Sequence, residues 1–178
     1  MKYLITLLLL VVRAFANGQT SDARDTSFES EMINRDNYTI RHPKNWTIDT
    51  TNLMGADLFI ISQKESDSDK FRENVNVMVQ DLKGLNIGLE KYVDISKEQI
   101  KSLLTNANII ESTRLHRGNY EFYKLIFSGV QGIFTLQTEQ YYFLANEKAF
   151  VVTLTTEQTK YNSYEKIGEM ILQSFELK

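Results

Sequence analysis

The chain has 178 residues, a formal net charge of −3, two histidines and no cysteine. The lack of cysteine excludes disulfide bonds, thiol catalysis and thiolate metal sites. The net negative charge disfavours binding to polyanions, namely nucleic acids and anionic lipid surfaces.

Residues 1–18 predict a cleaved secretory signal peptide. Lys2 supplies a positive start, residues 3–12 form an apolar run, and three small residues follow: Ala14, Ala16 and Gly18. Signal peptidase recognises this order of features, with cleavage here before Asn17 or before Gln19. A membrane anchor needs roughly 20 apolar residues, whereas an arginine interrupts this run early. We therefore expect an extracytoplasmic protein, periplasmic or secreted, without stable membrane insertion after cleavage.

The remaining chain predicts one domain preceded by a linker. Residues 19–36 are polar and are interpreted as the linker, so the domain is expected to span residues 37–178. About 160 residues remain after cleavage, enough for a core without disulfide support. Removal of Lys2 and Arg13 takes the formal charge from −3 to −5.

The first half of this domain has mostly the period-two pattern of strands. Residues 38–42 alternate in polarity before Pro43, which interrupts the strand because proline lacks the N–H that a sheet needs. Residues 58–61 are continuously apolar, which is typical of a strand covered on both faces. Residues 62–72 are charge-dense and predict a surface loop, whereas alternating valines in residues 75–79 predict a half-buried strand.

Two later segments have the helical period. Residues 89–104 and 163–175 each place their apolar side chains on one stripe, and Ser163 is a candidate N-cap. Between them, turn residues separate four predicted strands, at about residues 109–115, 120–128, 133–144 and 149–156. Consecutive strands joined by short turns must be antiparallel. The predicted fold class is therefore α+β, an antiparallel β-sheet flanked by helices.

Three segments in this order resemble the PsbP-like superfamily. They are the strand and tryptophan of residues 38–46, the strand of residues 74–82 followed by a helix, and the strand of residues 150–156 followed by a closing helix that ends at Phe175. Together they span nearly all of residues 37–178. The resemblance implies an α-β-α sandwich, but it transfers no function because members of one fold perform unrelated tasks.

The two histidines are interpreted as structural or solvated residues. His42 lies on the face of its predicted strand that points into the protein, so we expect it to pack near the end of the sheet. His116 lies between Arg114 and Arg117 at a predicted hairpin end, where positive charge disfavours a metal ion. These three residues are the only candidate contact for an anionic partner.

No catalytic, cofactor or metal site is predicted. Asp67, Asp69 and Glu73 offer oxygen ligands for calcium, but lysine and arginine interleave with them and no EF-hand glycine is present, so a charged surface loop is favoured. The sequence has neither the Gly-x-Ser-x-Gly nucleophile motif nor a glycine-rich phosphate loop. Other acidic residues are scattered along strands, for example Asp81, Glu121 and Glu139.

Aromatic residues are concentrated in the predicted four-strand segment. Nine of them lie between residues 120 and 150: Tyr120, Phe122, Tyr123, Phe127, Phe134, Tyr141, Tyr142, Phe143 and Phe150. Aromatic side chains favour strands and pair across them, so core packing is preferred over an exposed binding platform.

Together these features predict an exported, non-enzymatic binding or accessory module. Its partner would be an envelope protein or a small ligand, without nucleic acid. The alternatives are a hydrolase-type enzyme with an unrecognised carboxylate site, and a structural subunit of an envelope assembly.

Overall fold

The computed structural model describes residues 29–118 and 120–178. The described residues form ten strands and two α-helices. The strands are β1 (Ser30–Asn34), β2 (Tyr38–Pro43), β3 (Thr47–Asp49), β4 (Leu58–Ile61), β5 (Asn74–Asp81), β6 (Thr105–Arg117), β7 (Tyr120–Gln131), β8 (Phe134–Ala145), β9 (Lys148–Glu157) and β10 (Glu176–Leu177). The helices are α1 (Leu89–Leu103) and α2 (Tyr161–Gln173).

The strands form two antiparallel sheets. The large sheet has the order β3-β4-β5-β9-β8-β7-β6, and the small sheet has the order β1-β2-β10. Strands β6 to β9 are consecutive neighbours, as short turns require. The predicted α+β class with an antiparallel sheet is confirmed.

The large sheet is covered on both faces. On one face, the apolar stripe of α1 packs on a cluster that includes Leu125, Phe127 and Tyr142. On the other face, α2 and the small sheet pack on a cluster that includes Val77, Val152 and Leu154. The layers therefore form an α-β-α sandwich, with the small sheet lying beside α2. Neither helix of the described residues is long and apolar enough to cross a membrane.

The folded structure begins earlier than the sequence indicated. Ser30–Asn34, inside the predicted linker, forms β1 and pairs along its length with β2. The interpretation of these five residues as linker is wrong, because main-chain pairing needs no strong apolar alternation. Residues 1–28, which contain the predicted signal peptide and the rest of the linker, lie outside the described residues.

Two local predictions are also wrong. β5 was expected to be half-buried, but both faces of its first five residues are buried because helices or loops cover each side of the sheet. Helix α2 begins at Tyr161, its N-cap is Lys160 without a side-chain capping bond, and Ser163 therefore lies inside its first turn.

Candidate functional site

A cleft of about 390 Å³ opens at one end of the sandwich, where the loop after β5 meets the turn between β8 and β9. Its apolar wall is formed by Leu82, Ile87 and Leu144, and its polar wall includes Asn86 and Asn146. The volume falls within the range of small-molecule sites, and polar atoms make up slightly more of the accessible lining than apolar atoms do.

The turn that borders this cleft has a strained backbone. Asn146 and Glu147 both have positive φ angles, of 51° and 57°. A two-residue hairpin requires this conformation, but the second position normally takes glycine. The Glu147 carbonyl accepts a hydrogen bond from the Leu82 N–H at 2.8 Å, which joins the two loops. The cleft walls are therefore held by main-chain geometry.

The cleft is close to neutral in charge. Its lining includes one cation, Lys148, and one anion, Glu147. The Lys148 ammonium donates to the Asn37 side-chain oxygen at 3.3 Å. This hydrogen bond directs the lysine side chain toward the small sheet. The site is therefore suited to a ligand that combines apolar surface with a few polar groups.

A cluster of carboxylates surrounds Lys160 just before α2. The Lys160 Nζ lies 3.1 Å from Glu65, 3.5 Å from Glu157, 3.6 Å from Asp69 and 3.7 Å from Glu73. The side chains of Asp69 and Glu73 are only 3% and 0% exposed. The prediction of a solvated surface loop is therefore wrong for these two acids, because Lys160 from a distant segment balances their charge.

Glu73 is the most unusual acid of this cluster. Neither of its carboxylate oxygens has a hydrogen-bond partner. Burial raises the pKa of Glu73 to about 7, although the positive charge of Lys160 acts in the opposite direction. Glu73 is therefore a buried acid that titrates near neutral pH.

A second buried acid, Glu139, lies beneath the start of α2. The Tyr161 hydroxyl donates to Glu139 Oε2 at 2.8 Å, and the Lys124 ammonium lies 3.4 Å from Oε1. Burial raises the pKa of Glu139, while Tyr161 and Lys124 oppose the shift. This acid joins the first residue of α2 to β8. The sequence did contain a signal for the burial of Glu139. It alternates with Tyr141 and Phe143 along the strand and therefore lies on the same face.

Both buried acids are remote from the cleft. Glu73 precedes β5 and Leu82 follows it, so the eight-residue strand separates them by roughly 30 Å at about 3.3 Å per residue. Glu139 lies six residues before Ala145, which corresponds to roughly 20 Å along β8. The cleft and the groups with perturbed pKa values are therefore separate features.

The structure divides the predicted Arg114, His116 and Arg117 group between two faces of the sheet. Arg114 and His116 both lie against Glu121, Arg114 in a direct ion pair and His116 with Nδ1 3.8 Å from the carboxylate. Arg117 donates to the carbonyl oxygens of Gln173 and Phe175, at 2.7 and 3.1 Å. The three residues do not form one cluster. An anion contact by Arg114 and His116 stays a prediction.

His42 is buried, as its strand parity predicted. It is 6% exposed, and its Nδ1 lies 2.8 Å from the Pro43 carbonyl oxygen. It lines a cavity of only about 70 Å³ between β2 and α2, together with Ile167 and Met170. That volume is too small for a ligand of the size that the cleft admits.

The aromatic side chains of β7, β8 and β9 mostly belong to the core, as predicted. Six of them are at most 4% exposed: Phe122, Phe127, Tyr141, Tyr142, Phe143 and Phe150. The rings of Phe122 and Phe143 stack with centroids 5.1 Å apart, as cross-strand neighbours do. Of the other three, Tyr123 and Phe134 are half-buried, and Tyr120 is exposed, at 46%.

The architecture matches solved structures of low sequence identity. PsbP from the cyanobacterium Synechocystis superposes with a TM-score of 0.65 at 14% identity, over 90% of this chain and 98% of that protein. The chain has the PsbP-like fold. LpqN of Mycobacterium tuberculosis, described as involved in cell envelope biogenesis, matches at 0.57 and 12% identity, over 90% of this chain and 99% of LpqN.

A third structure with this fold is PA94 of Pseudomonas aeruginosa, a protein of unknown function described as a putative regulator. Its TM-score is 0.58 at 11% identity, over 82% of this chain and 94% of PA94. No protein-family model and no curated protein sequence matches the chain. The resemblance to the PsbP-like superfamily is thus confirmed by the structural comparison, at the level of fold.

Proposed function

We propose that the protein is an exported, non-enzymatic binding module whose ligand occupies the cleft between the β5–α1 loop and the β8–β9 turn. The observation that carries this proposal is the 390 Å³ volume at that position. Its walls are fixed by the main-chain bond between Leu82 and Glu147 and by the strained hairpin.

The non-enzymatic part of the proposal is supported by the positions of the acids. Acid–base chemistry needs titratable groups within hydrogen-bond reach of the substrate. Glu73 and Glu139 have raised pKa values, but each is enclosed by the sheet and α2 and lies roughly 20 Å or more from the cleft. Each acid also has a lysine beside it that balances its charge: Lys160 lies near Glu73, and Lys124 lies near Glu139.

A fragment-binding experiment tests the cleft. We expect neutral fragments of mixed polarity, screened by ligand-observed NMR against the exported chain, to bind and to perturb the resonances of residues 82–87 and 144–148. Ile87→Trp enlarges a half-buried side chain of the apolar wall, so its indole should narrow the cleft and weaken binding at least tenfold, about 1.4 kcal/mol.

The matched control is Ile133→Trp, which places the same side chain on the opposite hairpin end, where Ile133 is 82% exposed. This variant and Glu139→Gln should bind fragments like the wild type. Binding that survives Ile87→Trp would place the ligand elsewhere. Binding or turnover that depends on Glu139 would favour the hydrolase-type alternative.

Export is tested by the mature N-terminus. We expect the chain, expressed with residues 1–18 in a bacterium with a periplasm, to be recovered there with Asn17 or Gln19 first, by N-terminal sequencing. Lys2→Glu removes the positive charge that precedes the apolar run and should slow processing. Recovery of the uncleaved chain in the cytoplasm would contradict the proposal.

A further inference from the structure

The large sheet ends in a long edge strand. β6 has 13 residues and lies last in the strand order, and β7 is its only strand neighbour within residues 29–118 and 120–178. The other edge strands of the two sheets, β1, β3 and β10, have five, three and two residues. Proteins commonly keep edge strands short, because the free N–H and C=O groups of an edge can pair with another strand. Among the described strands, β6 is therefore the edge with the most room for such pairing.

The two halves of β6 differ in regularity. The first half contains two register shifts relative to β7, and Asn106 there has a positive φ of 54°. Irregularities of this kind twist an edge away from a partner strand. In contrast, residues 111–117 pair with β7 in one unbroken register. This regular segment also contains no proline and no lysine, which commonly protect sheet edges.

The charged side chains of the regular segment are already balanced within the chain. Glu111 lies 3.7 Å from the Lys124 ammonium, and Arg114 forms an ion pair with Glu121. Arg117 donates to main-chain carbonyl oxygens at the end of α2. A second strand that approaches this edge therefore meets no uncompensated charge, while the main-chain groups on the side away from β7 stay available to it.

The regular segment is complementary to a second copy of itself. In a two-fold pairing of antiparallel strands, the axis is normal to the sheet and passes through one residue of each copy. All seven residues of the segment pair only when that residue is Arg114, the middle one. Glu111 of each copy then lies opposite Arg117 of the other, so two pairs of opposite charge form on the face that carries α2.

The centre of this pairing is also compatible with a second copy. The two Arg114 side chains lie opposite each other, but each is accompanied by Glu121 of its own chain, so the charges alternate across the axis. The half-buried Leu115 lies opposite Thr113 of the other copy and is covered by it. Alternate residues of each strand point their N–H and C=O groups at the partner, which gives about six to eight main-chain hydrogen bonds.

We propose that residues 111–117 form the interface of a symmetric dimer, in which β6 pairs antiparallel with β6 of a second copy of this chain. The two seven-stranded sheets then join into one continuous sheet. The segment supplies both members of each charge pair, which favours a second copy over a strand of another protein. The paired segment is short, so the dimer forms in a concentration-dependent way. The cleft is lined by other segments, so this interface is independent of the function proposed for the cleft.

Single-cysteine variants test the position of the axis, because the natural chain contains no cysteine. Directly opposite residues of antiparallel strands have Cβ atoms about 4.5–5.5 Å apart, close to the separation in a disulfide. Arg114→Cys should therefore cross-link to itself under mild oxidation. Ser112→Cys and His116→Cys should each cross-link poorly alone, but at least tenfold more when the two are mixed, because these positions face each other across the axis. Non-reducing gel electrophoresis measures the covalent dimer.

A matched pair of substitutions at Ser112 tests the charge arrangement. In the dimer this residue lies opposite His116 and beside Arg114 of the other copy. Ser112→Lys adds positive charge there and should weaken dimerisation at least tenfold, whereas Ser112→Glu should strengthen it. Light scattering over a concentration series of the exported chain measures both, and the wild-type mass should rise toward twice that of the monomer. Ser112 is exposed, so both variants should keep the wild-type Tm.

The cleft variant Ile87→Trp should dimerise like the wild type, which keeps this result distinct from the test of the cleft. Three outcomes would overturn the proposal. A wild-type chain that stays monomeric over the whole concentration series does not pair through β6. Cross-linking that is equal for the three cysteine variants alone would come from random collisions. Equal effects of Ser112→Lys and Ser112→Glu would contradict the register centred on Arg114.

Discussion

Raising the pH from 5 to 8 is expected to reduce the free energy of unfolding of the wild-type protein by up to about 3 kcal/mol, and Glu73→Gln is expected to remove most of this loss. In the folded state the pKa of Glu73 is raised to about 7, from an ordinary value of 4.5. The folded protein therefore holds this proton more tightly than the unfolded chain. The resulting stabilisation is complete below the ordinary pKa and is lost as the pH rises through 7. Urea unfolding at several pH values measures it.

Glu65→Gln is the matched control for this prediction. Glu65 contacts the same ammonium of Lys160, at 3.1 Å, but its side chain is 45% exposed. Its replacement should leave the pH dependence in place, because the buried acid remains. Burial acts to lower the pKa of Lys160, but the surrounding carboxylates together raise it, so this lysine stays protonated across the range. A wild-type stability that does not change between pH 5 and 8 would contradict the assignment of Glu73.

Gly168→Ala is expected to destabilise the protein by about 2–3 kcal/mol, although alanine is the better helix former by about 1 kcal/mol. Gly168 lies on the buried face of α2. A Cβ at this position would come within 2.3 Å of Leu154 Cδ2 and 2.9 Å of Leu154 Cδ1. Leu154 is fully buried on β9, so either its side chain must leave its packed rotamer or the helix must shift away from the sheet. Denaturant unfolding measures the loss.

Gly88→Ala is the control for this substitution, because a Cβ at Gly88 meets no atom within 4 Å. It should change stability by less than about 1 kcal/mol. Combining Gly168→Ala with Leu154→Val should recover part of the loss, because the shorter side chain makes room for the new methyl group. Additive effects in this double-mutant cycle would show that the two side chains do not collide.

The sequence predicted the repeating parts of this protein. Period-two and helical patterns gave the two helices and the four strands before α2 to within a few residues, because each pattern reflects local geometry and one buried face. The turn at Asn146 and Glu147 was also predictable from its first residue, since asparagine is one of the few residue types that readily accept a positive φ. The same patterns, in their order along the chain, indicated the PsbP-like fold.

Features that depend on side chains from distant segments were not predictable. Strand β1 was missed because its pairing with β2 uses main-chain groups that every residue carries. Lys160 and Glu73 are 87 positions apart, and the pairing of β5 with β9, which ends three residues before Lys160, brings them together. Arg114 and Arg117 were grouped because the predicted strand ended at about residue 115, whereas β6 extends to Arg117 and its alternation places the two side chains on opposite faces.

The composition determined the absence of disulfides and thiol chemistry, and the patterns determined the fold class. Both follow from residue types and local periodicity alone. The cleft, the buried acids and the long edge of β6 were decided only by the tertiary structure. Burial, distance and the presence of a hydrogen-bond partner are properties of groups brought together by folding, and no local pattern records them.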